Sequence, residues 1–467
     1  MMPTLAHVSL RSFAVTTLFA TALCAQTPLT IGNLYVVRVG DGLAALSNAS
    51  TPTFVDEYTQ SGTLVQSIAL PTAASGLNQP FTNSGTATSE GFLNVSDNGQ
   101  YLVLGGYAVA PGLLGVATSA NPTVGRVIGR IDLLGNVDTS TVLGDAYSTR
   151  NIRSVASTDG QNFWMTGSSE GIRYVAGLGA TTSLVISPTP LNNRVLGIYG
   201  GQLYSTASST GFFGVSKVGT GIPNGSGNVC ALLPGMPGTT GPSAYDFWFE
   251  SPTVLFVADD RVTASNGGIQ KWVLTSGTWS VAYTIQSGGT SGFRGLTGKR
   301  VDGVTTLFAT LGTSSAGNTL VSIVDTGAAS TATVIATAPA STAFRGVRLL
   351  TPASTLTKIT ATCGTAGINA TGTAQIGTEV HTEITTPLGL PFVSYGTQLF
   401  LFPFCGCTVV HDNLIVLPGP VNTLALPNNA ALIGVQIYSQ GVDFLAPGAC
   451  PDPLLTLTDG YVFTIQS

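Results

Sequence analysis

The stretch SEGFLNVSDNGQYLVLGG, from Ser89 to Gly106, is the most informative part of the sequence, because its pattern returns five more times along the chain. It holds a short apolar strand, a turn with Asp, Asn and Gly, and a second apolar strand. The other copies are RNIRSVASTDGQNFWMTG from Arg150, NRVLGIYGGQLYSTAS from Asn193, AYDFWFESPTVLFVAD from Ala244, FRGLTGKRVDGVTTLFATLG from Phe293 and AFRGVRLL from Ala343. Strand units that recur every 40–60 residues or so are typical of a β-propeller or a related β array.

Between one copy and the next lie two further predicted strands, as in the segments from Gly171, Gly267 and Gly317. Four strands is the number in one propeller blade. The last copy has only its first strand, and the missing strands are expected at the start of the chain, in NLYVVRVGDG, TPTFVDEYTQSG and TLVQSIALP. The sequence therefore predicts an all-β protein with a six-bladed β-propeller over residues 31–352, closed by both termini. An open β array is the alternative.

The repeat stops after Thr351, and the composition of the chain changes there. We predict a linker over residues 353–362 and a small β-sandwich over residues 363–467. Alternating runs such as TEVHTEITTP and ALIGVQIYSQ, separated by Pro and Gly turns, favour a sandwich of short strands.

The first 25 residues have the pattern of a secretory signal peptide. His7 and Arg11 precede an apolar run from Phe13 to Leu23, and small residues follow it. The run is too short to span a membrane, and no later apolar stretch reaches eighteen residues. We therefore expect a protein that is secreted or displayed at the cell surface, without a membrane span.

The composition indicates a folded protein with few charges. Charged residues make up 8% of the 467 residues, hydrophobic residues make up 43%, and the formal net charge is −5. A chain this apolar is not disordered. A weak negative charge without any basic run excludes the usual nucleic-acid surface, so no nucleic-acid partner is expected.

The cysteines cluster in the predicted sandwich. The four candidates for disulfides there are Cys363, Cys405, Cys407 and Cys450. An oxidising compartment favours two disulfides among them, and three connectivities are open. Cys230 is expected to be a buried free thiol. A metal site formed by Cys405, Cys407 and His411 is the alternative for that pair.

No sequence motif predicts catalysis. Gly167 to Gly171 matches G-x-S-x-G, but it lies between two predicted strands and not at a strand-to-helix turn. The only histidines after the signal peptide are His381 and His411, both outside the predicted propeller, which excludes a Ser-His-Asp triad there. The Asp-Asn-Gly turns lack the repeated acidic positions of a calcium loop. We predict no catalytic residue, no metal site and no cofactor.

Charged residues recur at or beside the first strand of several units, which in a propeller surrounds the central channel. They are Glu90, Arg150, Arg153, Arg194, Asp246, Arg294 and Arg345. Arginines that converge there and are unpaired by carboxylates would bind a carboxylate, a sulfate or a sugar acid by bidentate hydrogen bonds. The alternative is that these side chains bond to one another or to backbone carbonyls in a polar tunnel.

Two resemblances cover nearly all of the chain after the signal peptide. The C-terminal hundred residues resemble a β-sandwich module at the ends of secreted proteins of environmental bacteria, through Cys363-Gly364, the GTEV strand at Gly377, the strand at Cys405, LPNNAALIGVQIYSQG from Leu426 and the terminal DGYVFTI. The remainder resembles a family of exported bacterial propeller-like proteins, through RVGDG at Arg38, FVDEYTQSGTLVQSIALP at Phe54 and TATSEGFL at Thr86. The resemblances imply a class of protein and no reaction.

We therefore expect a non-enzymatic binding or surface-adhesion protein whose partner is an extracellular glycan, another anionic ligand or a cell-surface component. The alternative is a carbohydrate-active enzyme, a polysaccharide lyase or a glycosidase, that works at the propeller channel. A glycosidase would need two carboxylates about 5–10 Å apart, and Glu90 and Asp246 are the nominees.

Overall fold

The structure is a computed structural model that describes residues 27–286, 291–301, 303–312, 316–351, 356–359, 363, 366–404, 407–432, 435–446, 450–451 and 454–465. The expected signal peptide at residues 1–25 and most of the expected linker at residues 353–362 lie outside this part of the chain. The described chain is nearly all β. Its three short 3-10 helices are Val116–Thr118, Thr263–Ser265 and Ala430–Leu432. No helix in this part of the chain is long and apolar enough to cross a membrane.

Thirty-six strands are described, and the first twenty-five belong to the repeated region. The first eight strands are β1 (Leu34–Val39), β2 (Ser50–Tyr58), β3 (Leu64–Ala69), β4 (Thr82–Ser84), β5 (Asn94–Val95), β6 (Tyr101–Tyr107), β7 (Arg126–Asp132) and β8 (Val137–Leu143). The next eight are β9 (Ile152–Ser157), β10 (Phe163–Gly167), β11 (Ile172–Val175), β12 (Leu184–Ser187), β13 (Asn193–Tyr199), β14 (Gln202–Ala207), β15 (Gly214–Val218) and β16 (Cys230–Leu232). The last nine are β17 (Ala244–Ser251), β18 (Val254–Asp259), β19 (Gly268–Thr275), β20 (Thr278–Ile285), β21 (Phe293–Val301), β22 (Val304–Leu311), β23 (Thr319–Val324), β24 (Thr333–Thr337) and β25 (Ala343–Leu349).

Four antiparallel sheets of four strands follow the repeat as predicted. They are β9–β12, β13–β16, β17–β20 and β21–β24, and each strand pairs with the next in the chain. The remaining nine strands of this region form one sheet. In this sheet β25 pairs with β1, β1 pairs with β2, and β2 pairs with β3. The predicted pairing of the last repeat strand with the start of the chain is confirmed, since Leu34 lies opposite Leu349 and Tyr35 lies opposite Arg348.

The nine-stranded sheet departs from the prediction of separate units. Residues Ser50 to Pro52 extend β2 beyond its pairing with β1, and they pair with β4. Strand β4 also pairs with β6, which carries β5 on one side and β7 and β8 on the other. The short strand β4 thus joins two units that the repeat pattern treats as separate.

The first strands of the units face one another. We call β5, β9, β13, β17, β21 and β25 the central strands, because each contacts the next in this order and β25 contacts β5. Apolar clusters fill the spaces between neighbouring sheets. Tyr107 of β6 packs in one cluster with Ile152 of β9, and Phe308 of β22 packs in another with Phe344 of β25. Burial between sheets is what stabilises units that cannot bury both faces alone.

The described part of the C-terminal region holds eleven strands in three sheets. The strands are β26 (Thr357–Ile359), β27 (Gly367–Thr371), β28 (Glu379–Thr385), β29 (Leu390–Gly396), β30 (Leu399–Phe404), β31 (Cys407–His411), β32 (Ile415–Pro418), β33 (Val421–Ala425), β34 (Gln436–Phe444), β35 (Cys450–Pro451) and β36 (Leu454–Thr464). The sheets run β26-β36-β34-β29-β32 with β35 on β36, β27-β28-β33, and β30-β31. Val380 of β28 packs with Phe463 of β36, and Ile384 of β28 with Val393 of β29, so two of these sheets share a core.

One disulfide, Cys363–Cys407, is present, and its Cα atoms lie 4.8 Å apart. Cys407 is therefore not a thiolate ligand, which removes the predicted alternative of a metal site. Cys230 is a buried free thiol, as predicted. Cys405 and the side chain of Cys450 lie outside the described residues, so a second disulfide stays a prediction.

Three buried threonines join neighbouring sheets through their hydroxyl groups. Thr166 of β10 donates to the carbonyl oxygen of Arg194 at 2.8 Å, Thr206 of β14 to that of Tyr245 at 2.5 Å, and Thr310 of β22 to that of Arg345 at 2.6 Å. Each donor lies in the second strand of one sheet, and each acceptor lies in the central strand of the next. Because the hydroxyls are fully buried, their loss would leave carbonyl groups without a partner or water.

Replacing Thr206 with Val removes the hydroxyl and keeps the shape of the side chain. This hydroxyl also accepts the N–H of Val195 at 3.1 Å, so two buried backbone groups lose a partner. We expect the free energy of unfolding in urea to fall by about 2 kcal/mol. Thr206→Ser keeps the hydroxyl and is the control. An equal loss of stability in both variants would contradict a bond between sheets.

Candidate functional site

The nominated arginines do come together near the starts of the central strands. Arg153, Arg194 and Arg294 are the second residues of β9, β13 and β21, and Arg345 is the third residue of β25. We call these four side chains the arginine ring. Tyr245, the second residue of β17, takes the corresponding place in its strand. Arg150 lies outside the ring, because it precedes β9 and its side chain is exposed.

Two members of the ring are bonded to a carboxylate, which corrects the expectation of unpaired guanidinium groups. Arg294 contacts Asp260 at 3.0 Å, and Arg194 lies 3.6 Å from the same carboxylate. The two guanidinium groups also lie 4.9 and 4.5 Å from the centre of the Tyr245 ring. Asp260 lies directly after β18. Asp260 contacts the two arginines because the chain that leaves β18 lies beside the next central strand.

Of the other two members, Arg153 is partly buried and Arg345 is buried. Arg153 donates to the Asn192 side chain at 2.6 Å and to the Asn193 carbonyl at 2.9 Å. Arg345, which is 3% exposed, donates to the carbonyls of Phe344 and Gly85. Burial lowers the pKa of Arg345 to about 10, partly offset by Glu90. Backbone and amide oxygens thus take the place that the sequence assigned to a ligand.

Glu90 is fully buried beside the arginine ring. It accepts hydrogen bonds from the Tyr107 hydroxyl at 2.6 Å and from the Ser84 N–H at 2.9 Å. Burial raises the pKa of Glu90 to about 7, although these bonds and Arg345 favour the charged form. Both carboxylate oxygens accept hydrogen bonds and are shielded from solvent, so Glu90 is not placed to act on a substrate.

Replacing Glu90 with Gln tests this burial through the pH dependence of stability. Between the ordinary glutamate pKa and about 7, the folded protein keeps a proton that the unfolded chain has lost. The contribution of Glu90 to stability is therefore full in acid and is lost as pH rises through that window. We expect the unfolding midpoint of the parent, compared with that of Glu90→Gln at the same pH, to decrease as the pH rises from about 5 to about 7.5. A constant difference across this range would contradict the raised pKa.

Asp246 lies deeper, in a buried network that the sequence did not predict. Its oxygens accept two hydrogen bonds from Arg348, at 2.6 and 2.9 Å, and bonds from the N–H groups of Phe247 and Leu296. Arg348 also donates to the Asn94 side chain at 2.8 Å and to the Leu296 carbonyl at 2.9 Å. Four central strands, β5, β17, β21 and β25, meet in this network.

The network excludes a paired-carboxylate site formed by Glu90 and Asp246. Asp246 is fully buried, and burial raises its pKa while Arg348 opposes that shift. Glu90 bonds to other partners near the starts of the strands. Neither nominee for a glycosidase faces open space.

A cavity of about 650 Å³ lies at the other end of the central strands. One wall is formed by residues 94–99, 156–158, 197–201, 247–249 and 297–298, with Arg348 and Leu349. The C-terminal region forms the opposite wall with Leu356, Lys358, residues 369–373 and Tyr461. Arg348, which pairs with Asp246, is the charged residue that the central strands contribute to the lining. No sequence motif marks this site, because no repeat pattern shows where the C-terminal region covers the strand ends.

The lining combines aromatic faces with neutral polar groups. Tyr199 stacks on Phe249 with ring centroids 4.6 Å apart, and its hydroxyl lies 3.3 Å from the Thr371 hydroxyl across the two regions. Trp248 supplies a second aromatic face, and Asn98 and Asn369 supply amides.

The charged groups of the lining have partners or a shifted pKa. Arg348 is paired with Asp246, and Lys358 lies 2.8 Å from Asp459. Desolvation raises the pKa of Asp97, whose side chain is exposed to the cavity. The lining therefore suits a polar ligand of low charge better than a strong anion.

Comparison with known proteins shows no family for the chain. No family model matches the chain, and no curated protein matches it. The resemblance to exported propeller-like proteins therefore stays a hypothesis.

Solved structures show only low similarity to the chain. A proposed 6-phosphogluconolactonase from Bacteroides fragilis has 11% identity and a TM-score of 0.39, with 85% of this chain and 99% of that chain covered. A second, from Bacteroides uniformis, has 12% identity, a TM-score of 0.38 and coverage of 84% and 100%. The extracellular domain of a proposed one-component system from B. thetaiotaomicron has 10% identity, a TM-score of 0.37 and coverage of 92% and 57%. None of these values supports an inference about activity.

Proposed function

We propose that the protein is a secreted binding protein, built as a six-bladed β-propeller with a C-terminal β-sandwich, that binds a saccharide in the cavity between the two. The contacts that pass from each central strand to the next support the propeller, as does the pairing of β25 with β1. The shared core of the β28 and β29 sheets supports the sandwich. The Cys363–Cys407 disulfide supports an oxidising, extracellular compartment.

The cavity is the observation that carries the proposal. Its volume of about 650 Å³ lies within the usual range of small-molecule sites, and it lies at a junction of two regions, where such sites are common. A sugar ring presents C–H faces, which pack on Trp248 and Tyr199, and hydroxyls, which bond to Asn98 and Asn369 as donors or acceptors. Because Arg348 and Lys358 are already paired, a neutral or weakly acidic glycan fits better than a sulfated one.

The enzyme alternative rests on one residue. Asp97 faces the cavity with a raised pKa, which is the property of a general acid. A hydrolase would need a second carboxylate, and Asp97 is the only carboxylate in the cavity lining among the described residues. Binding without turnover is therefore the stronger proposal.

A glycan array on the purified protein, followed by titration calorimetry with the best saccharide, tests the proposal. Tyr199→Ala removes an aromatic face of the cavity and should weaken binding about tenfold or more. Tyr174→Ala is the matched control, because Tyr174 is also half-buried, packs on one aromatic ring and bonds to one side chain, but lies away from the cavity.

Three results would count against this function. They are a parent protein that binds no saccharide, a Tyr199→Ala variant that binds like the parent, and an equal loss in both variants. Cleavage products from the bound saccharide would favour the enzyme alternative. In that case Asp97→Asn should abolish cleavage and retain binding.

A further inference from the structure

The junction between the repeated region and the C-terminal region is polar. Each apolar cluster in the described part of the chain lies wholly within residues 29–350 or wholly within residues 356–465. No cluster of described residues therefore spans the junction. Two regions whose contact has no shared apolar core are expected to move relative to each other, as partners do in a transient protein–protein interface.

One arginine connects the two regions. Nε of Arg300, in β21, lies 3.3 Å from Oε1 of Glu379 in β28, and Nη1 lies 3.4 Å from Oε1 of Glu250 in β17. Glu250 belongs to the repeated region, and Glu379 belongs to the C-terminal region. One guanidinium group thus attracts two carboxylates, one from each region. Without it, the two negative charges would repel each other across the junction.

Strand β28 presents charged residues to the repeated region. Glu379, His381 and Glu383 alternate along this strand and lie on one face, whereas Val380 on the other face packs in the C-terminal core. Burial raises the pKa of Glu383, and Lys217 of β15 opposes this shift. The contact between the regions therefore depends largely on charge.

The same contacts border the large cavity. Thr371, in the cavity lining, pairs with His381 of β28, and its hydroxyl lies 3.3 Å from that of Tyr199 in the opposite wall. A Cβ atom on Gly200, also in that wall, would lie 3.3 Å from Cγ2 of Thr371. Because β27 and β28 belong to one sheet, a movement of β28 away from Arg300 would also move this wall of the cavity.

We propose that Arg300 holds the C-terminal region against the repeated region, and that the cavity widens to admit a saccharide when this contact breaks. The Arg300 side chain is 32% exposed and that of Glu379 is 20% exposed. Ion pairs with this exposure are weak, so the contact breaks and re-forms readily. Closure of two regions around a ligand is a common binding movement. This role for Arg300 rests on the saccharide site proposed above, whereas the movement itself takes place without a ligand.

Distances between two spin labels measure the movement in the absence of saccharide. The labels are placed on Val334→Cys in the repeated region and on Leu414→Cys in the C-terminal region, because both positions are exposed and Cys230 is buried. In Arg300→Gln we expect the population at the main distance of the parent to fall by about half. Salt at about 1 M should act on the parent in the same direction, since it screens exposed charges.

Arg173→Gln is the matched control for this measurement. Arg173 also contacts two carboxylates, Glu170 and Asp145, but both belong to the repeated region. This variant should keep the distance distribution of the parent. One narrow distribution shared by the parent, Arg300→Gln and the high-salt sample would overturn the proposal.

Stopped-flow binding of the saccharide selected on the glycan array measures the consequence for the cavity. Arg300→Gln should bind and release it about threefold faster than the parent, because more molecules have the wide cavity at any time. Damage to the fold around Arg300 would not speed association, so this rate separates a holding role from a general loss of structure.

Two kinetic results would overturn the link between Arg300 and the cavity. They are unchanged rates in Arg300→Gln and equal changes of rate in Arg173→Gln. A parent protein that shows the movement between labels but binds no saccharide would contradict the proposed function and would still support the holding role of Arg300.

Discussion

The buried ion pair of Asp246 and Arg348 is the interaction on which the central part of the structure depends. It brings together β17 and β25, and its other hydrogen bonds reach β5 and β21. A buried ion pair is stable only when hydrogen bonds satisfy the remaining donors and acceptors, and here backbone groups and Asn94 do so. The pair therefore joins distant segments of the chain at one point.

Charge is scarce in this chain, and much of it lies in the interior. The arginine ring, Glu90 and the Asp246–Arg348 pair lie where the central strands meet, while the cavity is lined mainly by neutral polar and aromatic groups. Few exposed charges remain to steer an ionic ligand. This distribution explains why recognition is proposed for the cavity and structural roles for most of the arginines.

The repeat pattern predicted much of the fold because strands and turns recur at regular intervals along the sequence. The four-stranded sheets and the pairing of β25 with β1 follow from strand lengths and turn residues alone. The join through β4 was not predictable, since Thr82–Ser84 is a short segment without a period. Of the candidate site, the repeat marks only the arginines at the starts of the central strands. The partners of Arg294 and Asp246 come from segments that are distant in sequence, so no local pattern marks Asp260 or Arg348.

A double-mutant cycle on Asp246 and Arg348 measures the coupling between these two side chains. The free energy of unfolding is measured for the parent, Asp246→Asn, Arg348→Gln and the double variant. Because each single variant leaves a buried charge without its partner, we expect each to lose several kcal/mol, about 3–5, and the double variant to lose clearly less than the two losses added together. Losses that add without coupling would contradict a buried pair that holds the central strands together.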